Sequence, residues 1–140
     1  TPDSITGQLA NVVLQANSDI TVTNAIGRTN AGSGIIMQAG HNININANVS
    51  TNNGNIFLTA NDSVAVAADR VAGAGNITMA AGTGLNAGSG NISLTIGNSA
   101  VAPFSPGGIT AQALTTTAGT IPLQSTAAST IAGTVSLGSG

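Results

Sequence analysis

The sequence predicts an all-β protein, a right-handed parallel β-helix with three short strands per coil of about 21 residues. Three observations point there. Aliphatic anchors recur along the chain at near-constant spacing. Short runs alternate apolar and polar residues, and each run ends at Gly or Asn. The composition has almost no charge and almost no aromatic residues, so only small aliphatic side chains are available to fill a core.

The composition narrows the function classes before any motif is read. Charged residues make up 4% of the chain, and there is no Lys, Glu, Cys, Trp or Tyr. Low charge with 41% hydrophobic residues argues against a solvated, disordered chain. Two Arg and a net charge of −2 leave no basic surface to neutralise phosphates, so nucleic-acid binding is not expected. No apolar run approaches the roughly 18 residues of a membrane-spanning helix, and none reads as a signal-peptide core, so membrane insertion is not expected. Without Cys there is no disulfide or zinc framework. The chain starts Thr1-Pro2-Asp3 and ends Ser139-Gly140, and both ends read as cut from a longer chain.

The repeat is anchored on Leu14, Met37, Leu58, Met79 and Leu94, at spacings of 23, 21, 21 and 15. Two residues before each anchor stands Val12, Ile35, Ile56, Ile77 or Ile92; two after stands Ala16, Ala39, Ala60, Ala81 or Ile96. This inward-outward-inward pattern is an opening strand. It closes at Asn17, Gly40, Asn61, Gly82 or Gly97, residue types that tolerate positive φ.

A second alternation follows at Ile20-Thr21-Val22, Ile43-Asn44-Ile45 and Val64-Ala65-Val66, with Leu85 keeping that place in the fourth unit. A third apolar position falls at Ile26, Val49 and Val71. Small-residue corners such as Asn53-Gly54-Asn55 and Gly88-Ser89-Gly90-Asn91 lead into the next unit. One unit alone buries too few aliphatic side chains to offset the ordering of its backbone. Stacking units in register supplies the missing backbone partners and packs like side chains on like. Six or seven such coils would make a rod of roughly 30 Å.

Residues 1–98 are expected to form the regular coils. Residues 99–108, with Ala102-Pro103-Phe104-Ser105-Pro106-Gly107-Gly108, read as an inserted loop, because Pro cannot donate to an interior ladder. Residues 109–140 read as a less regular continuation, with opening strands at Ile109-Thr110-Ala111, Ile121-Pro122-Leu123 and Val135-Ser136-Leu137. Rival architectures fit less well. Hairpins explain Asn53-Gly54 but not a three-part period, and a membrane barrel lacks its aromatic girdles.

No catalytic, cofactor-binding or metal-binding residue is expected, and no enzymatic activity. His41, the one His, falls in a corner place where other units carry Ser18, Asp62, Thr83 and Asn98, and reads as an exposed turn residue. Asp19 and Asp62 occupy corner places two coils apart, too far separated for paired acid–base work on a polysaccharide. Asp69-Arg70 reads as a charged pair bulging into solvent from a third strand. The glycines lack the following Asp of a calcium-binding nonapeptide. Thr21-Val22-Thr23 is similar to the flat Thr-x-Thr arrays of ice-binding solenoids, but Asn44-Ile45-Asn46 and Ala65-Val66-Ala67 take the next two places, so no Thr array is expected. The glycosylation triplets at Asn48, Asn61, Asn76 and Asn91 follow from an Asn- and Thr-rich repeat.

Units such as Gly54-Asn55-Ile56-Phe57-Leu58-Thr59-Ala60 followed by Val64-Ala65-Val66 resemble the repeat region of filamentous haemagglutinin-type exoproteins, the secreted substrates of bacterial two-partner secretion. The resemblance covers residues 11 to about 98, and the Asn-Pro-Asn motifs of the family's secretion domain do not occur here. It implies a rigid stalk or fibre, extracellular or at the bacterial cell surface. The chain would be exported through an outer-membrane secretion transporter and would serve adhesion to a cell-surface or glycan receptor. The open ends of a solenoid also suggest a filament subunit that associates end to end or laterally. A polysaccharide-active β-helix enzyme is the remote alternative.

Overall fold

The computed structural model describes residues 5–138. Its strands stack into three parallel sheets of five, giving a parallel β-helix of five coils with one strand of each sheet per coil. The first coil is β1 (Val12–Ala16), β2 (Ile20–Val22) and β3 (Ile26–Gly27); the second is β4 (Ile35–Ala39), β5 (Ile43–Ile45) and β6 (Val49–Ser50). The third is β7 (Ile56–Ala60), β8 (Gly73–Met79) and β9 (Gly84–Asn86). The fourth is β10 (Ile92–Ile96), β11 (Phe104–Ala111) and β12 (Ala113–Thr116), and the fifth is β13 (Leu123–Gln124), β14 (Thr130–Ile131) and β15 (Val135–Leu137). Sheet A stacks β1-β4-β7-β10-β13, sheet B β2-β5-β8-β11-β14, and sheet C β3-β6-β9-β12-β15.

The core forms because each inward position stacks on its equivalent in the next coil. Ile35, Ile56 and Ile92 form one column and Met37, Leu58 and Leu94 the next; Ile43, Ile77 and Ile109 fill sheet B, and Val49, Leu85 and Leu114 fill sheet C. All are fully buried or nearly so. Like-on-like stacking keeps the packing nearly identical from coil to coil.

The register corrects the expected count of six or seven coils. Ile56 pairs with Ile92, so the third coil takes 36 residues, the sum of the last two anchor spacings of 21 and 15. Ile77-Thr78-Met79 is not the opening strand of a fourth unit. It is the second strand of the third coil, with Ile77 on Ile43 and Met79 on Ile45. Leu85 accordingly lies in the third strand, on Val49. Val64-Ala65-Val66, expected in that second strand, leaves the coil, and Val64 is 83% exposed. The local alternation of both segments is alike. The fully buried Ile77 and Met79 fill the core that Val64 and Val66 were expected to fill.

Later segments shift in the same way. Of the three opening strands expected after residue 108, only Leu123 stacks in sheet A, on Leu94. Ile109-Thr110-Ala111 belongs to sheet B and Val135-Ser136-Leu137 to sheet C. Phe104 to Pro106, expected in a loop, pair with Gly73 to Gly75 before a bulge ahead of Ile109. Pro122 keeps its coil intact, since its carbonyl accepts the Leu94 N–H at 3.1 Å.

Asn at the corners has a different task from the expected tolerance of positive φ, which only Asn53 and Asn61 adopt. Its side-chain carbonyl accepts a backbone N–H of the following coil. Asn11 accepts from Gly34, Asn55 from Asn91, and Asn91 from Thr120 at 2.7, 2.9 and 2.8 Å. At the next corner Asp19 accepts from Asn42, Asn42 from Asn76, and Asn76 from Gly108 at 2.8, 2.8 and 3.0 Å. Asn48 and Asn53 serve Gly84 and Ser89. The Gly before the Asn permits this stacking: a Cβ on Gly54 would lie 2.2 Å from the Ser33 carbonyl oxygen, and one on Gly90 would lie 2.3 Å from that of Gly54.

The two ends differ. Residues 5–11 fold over the first coil, where Ile5 packs on the core. Arg28, only 3% exposed, donates to the carbonyls of Ile5, Gln8 and Ala10, and Ser33 donates to that of Leu9 at 2.6 Å. The fifth coil leaves Ile131, Val135 and Leu137 exposed.

Replacing Asn91 by Ala removes its bond to the Thr120 N–H, which water can then reach, and is expected to lower the unfolding free energy by about 0.5–1.5 kcal/mol. Asn98→Ala, at an exposed corner, is expected to change it by less than about 0.5 kcal/mol. Urea denaturation of the two variants checks the difference.

Candidate functional site: a platform of two inserted loops

Two segments depart from the coils at the corner between sheets A and B: residues 61–72 in the third coil and 97–103 in the fourth. The first begins where the Asp62 carboxylate accepts the Val64 N–H at 3.0 Å, a turn that Asp forms readily. It continues through a 3₁₀ turn at Ala67–Asp69. Asn17 of the first coil ties it down, accepting the Val66 N–H at 3.0 Å and donating to Asp69 at 3.2 Å. Gly40 leaves room for the loop, since a Cβ there would lie 2.7 Å from that of Ala65.

Arg70 is the clamp. It is half-buried and does not bulge into solvent as expected, because its guanidinium has partners on every side. Nε donates to the Gly40 carbonyl at 2.9 Å, one terminal nitrogen to Ser99 Oγ at 3.1 Å, and the other to Asn61 Oδ1 at 2.6 Å. The guanidinium also lies 4.0 Å from the centre of the Phe104 ring, an attractive placement for a cation. Buried Asn61 donates in turn to the carbonyls of Gly97 and Ser99, at 2.7 and 3.0 Å, so it binds the second loop to the first.

His41 and Asp19 lie at the same corner. His41 is not the exposed turn residue expected, since 13% of its side chain is accessible and Nδ1 lies 2.8 Å from Asp19 Oδ1. The Asn42 amide nitrogen lies at 2.8 Å from the same ring atom. The Asp19 oxygen also receives the Asn42 N–H, so this pair joins the first coil to the second. Asp62 is held by its own turn, and the two carboxylates have separate partners. Among the described residues, Asp19, His41, Asp62, Asp69 and Arg70 gather here, while Arg28 serves the N-terminal end. No group of three or more His, Cys, Asp or Glu suited to a metal ion occurs among the described residues.

Asp62, Asp69 and Arg70 bond within or beneath the loops, while the loops' exposed valines make an apolar outward surface. Val64 and Val101, 83% and 76% exposed, with Val66 and Val71, crown the two loops. Between this wall and sheet A runs a shallow groove lined by Gln15, Asn17, Gln38, Asp62 and Val64. Insertions that leave a repeat on one side are a common place for binding. The platform is hidden in the sequence because Val64-Ala65-Val66 copies a strand, although the short anchor spacing of 15 and the charged Asp69-Arg70 both mark the anomaly. Of the glycosylation triplets, Asn61 is fully buried, and Asn76 and Asn91 are engaged between coils.

No family model, no curated protein and no solved structure matches the chain.

Arg70→Ala removes three hydrogen bonds and the ring contact. It is expected to lower stability by about 2–4 kcal/mol in urea titration. Val64→Asp, on the exposed crown, is expected to stay within about 0.5 kcal/mol.

Proposed function

We propose that this chain is a structural and adhesive, non-catalytic segment of a bacterial secreted surface fibre or stalk, of the filamentous haemagglutinin type. The observation that carries the reading is the Gly-Asn-Ile unit at Gly54-Asn55-Ile56, Gly75-Asn76-Ile77 and Gly90-Asn91-Ile92, set in coils that stack without Cys and almost without charge. Such a chain suits export in an unfolded state through an outer-membrane transporter, because its coils need no disulfide and no metal to close. Folding outside the cell would proceed coil on coil. The apolar loop crown and the neutral outward columns are surfaces for a receptor at a host or neighbouring cell.

The non-catalytic reading rests on the chemistry of the carboxylates. Asp19 is bonded to His41 and Asn42, and Asp62 to its own turn. Neither is free to face the other across a glycosidic bond.

A filament subunit is the second reading, favoured by the exposed Ile131, Val135 and Leu137 of the last coil. Head-to-tail stacking would have to displace residues 5–11 from the first coil, which weighs against it. Electron microscopy separates the two: dispersed short rods favour the stalk and growing filaments favour the subunit.

The export reading is tested by fusing the chain behind a two-partner secretion domain and co-expressing the matching outer-membrane transporter. The expected result is a folded, protease-resistant segment in the medium. Retention of the fusion inside the cell, while the secretion domain alone is exported, would count against it.

A further inference from the structure

The register of the third coil builds a surface that spacing along the sequence does not show. With Val64-Ala65-Val66 outside the coil, the outward column of sheet B reads Thr21, Asn44, Thr78, Thr110, Thr130, one residue per coil in direct register. The four threonines are exposed and Asn44 is half-exposed. Just past the ends of these strands stand Thr23, Asn46, Ala80, Gln112 and Ala132, all uncharged.

We propose that this face of sheet B binds ice. Rungs of a parallel stack repeat at an interval of about 4.8 Å, so the column spans roughly 19 Å, with Thr hydroxyl and methyl groups on successive rungs at Thr78, Thr110 and Thr130 and Asn44 standing between Thr78 and Thr21. That interval is close to a repeat of water oxygens in hexagonal ice. The backbone beneath is rigid, since the inward neighbours Ile43, Ile77 and Ile109 are fully buried in one stack. Thr is β-branched and stiff at χ1, so its hydroxyl is held ready and little side-chain entropy is lost on contact.

Neutrality is the second requirement. A charged group keeps its own hydration shell and disrupts a lattice, and neither the column nor the residues just past its strands carry one. The other sheets are less suited. Sheet A presents Gln15, Gln38, Thr59, Thr95 and Gln124, where long amides bring rotamer freedom. Sheet C presents Gly27, Ser50, Asn86, Thr115 and Ser136, which lacks a repeated methyl.

The experiment labels the N-terminal amine with a fluorophore, grows ice slowly from a solution of the chain, and measures thermal hysteresis alongside uptake into the ice. The expected result is uptake by the unaltered chain and loss in Thr78→Tyr/Thr110→Tyr. Gln38→Tyr, on sheet A, retains it, and Asn44→Thr, which completes the column, raises it. Far-UV circular dichroism and the urea midpoint confirm that each variant is folded. Exclusion of the unaltered chain from ice, or equal loss from the sheet A and sheet B variants, would overturn the proposal.

Discussion

Stacking in register at the corners is the constraint on which the rest of the structure depends. Within a strand, backbone groups find partners in the coils above and below without help from side chains. At a corner the chain changes direction and some N–H groups face no carbonyl. The Asn side-chain oxygen of the preceding coil fills that place, at Asn11, Asn55 and Asn91 on one corner and at Asn42 and Asn76 on another. Each such bond contributes about 0.5–1.5 kcal/mol, so several together are a large share of the stability of a chain with a small aliphatic core. Gly beside the Asn is the other half of the device, because at Gly54 and Gly90 a side chain would collide with the coil before.

The same constraint explains why insertions appear where they do. A loop that leaves at the corner after sheet A and returns in register before sheet B leaves every core column intact. Residues 61–72 and 97–103 both do this, one above the other, so that a single Arg70 can hold both. The platform is therefore held by Asp62, Asp69 and Arg70, which bond within or beneath the loops, while its valines are exposed. At the N-terminal end Arg28 plays a comparable part, gathering the carbonyls of residues 5–11 over the first coil.

The sequence made the architecture legible because the core needs a repeating inward residue, and a repeating inward residue is visible as spacing. Val12, Ile35 and Ile56 stack as the spacing implies. Coil number was not legible, because alternation says that a segment suits a strand and not which strand it joins. Val64-Ala65-Val66 and Ile77-Thr78-Met79 both satisfy the pattern. What separates them is burial: the larger Ile77 and Met79 fill the core fully, and Asn76 supplies the corner bond to Gly108. The clamp at Arg70 was out of reach for a different reason. Its partners Gly40, Asn61 and Ser99 are brought together only once the coils are stacked.

The central claim is that the third coil spans 36 residues, with residues 61–72 looped out and Thr78 stacked on Asn44. The chain has no Cys, so engineered pairs report on it without interference. A disulfide needs Cα atoms about 4.4–6.8 Å apart, which adjacent rungs provide. On mild oxidation, Asn44→Cys with Thr78→Cys is predicted to cross-link readily, and Asn44→Cys with Ala65→Cys is predicted to remain reduced. Cross-linking of the second pair and not the first would contradict the account.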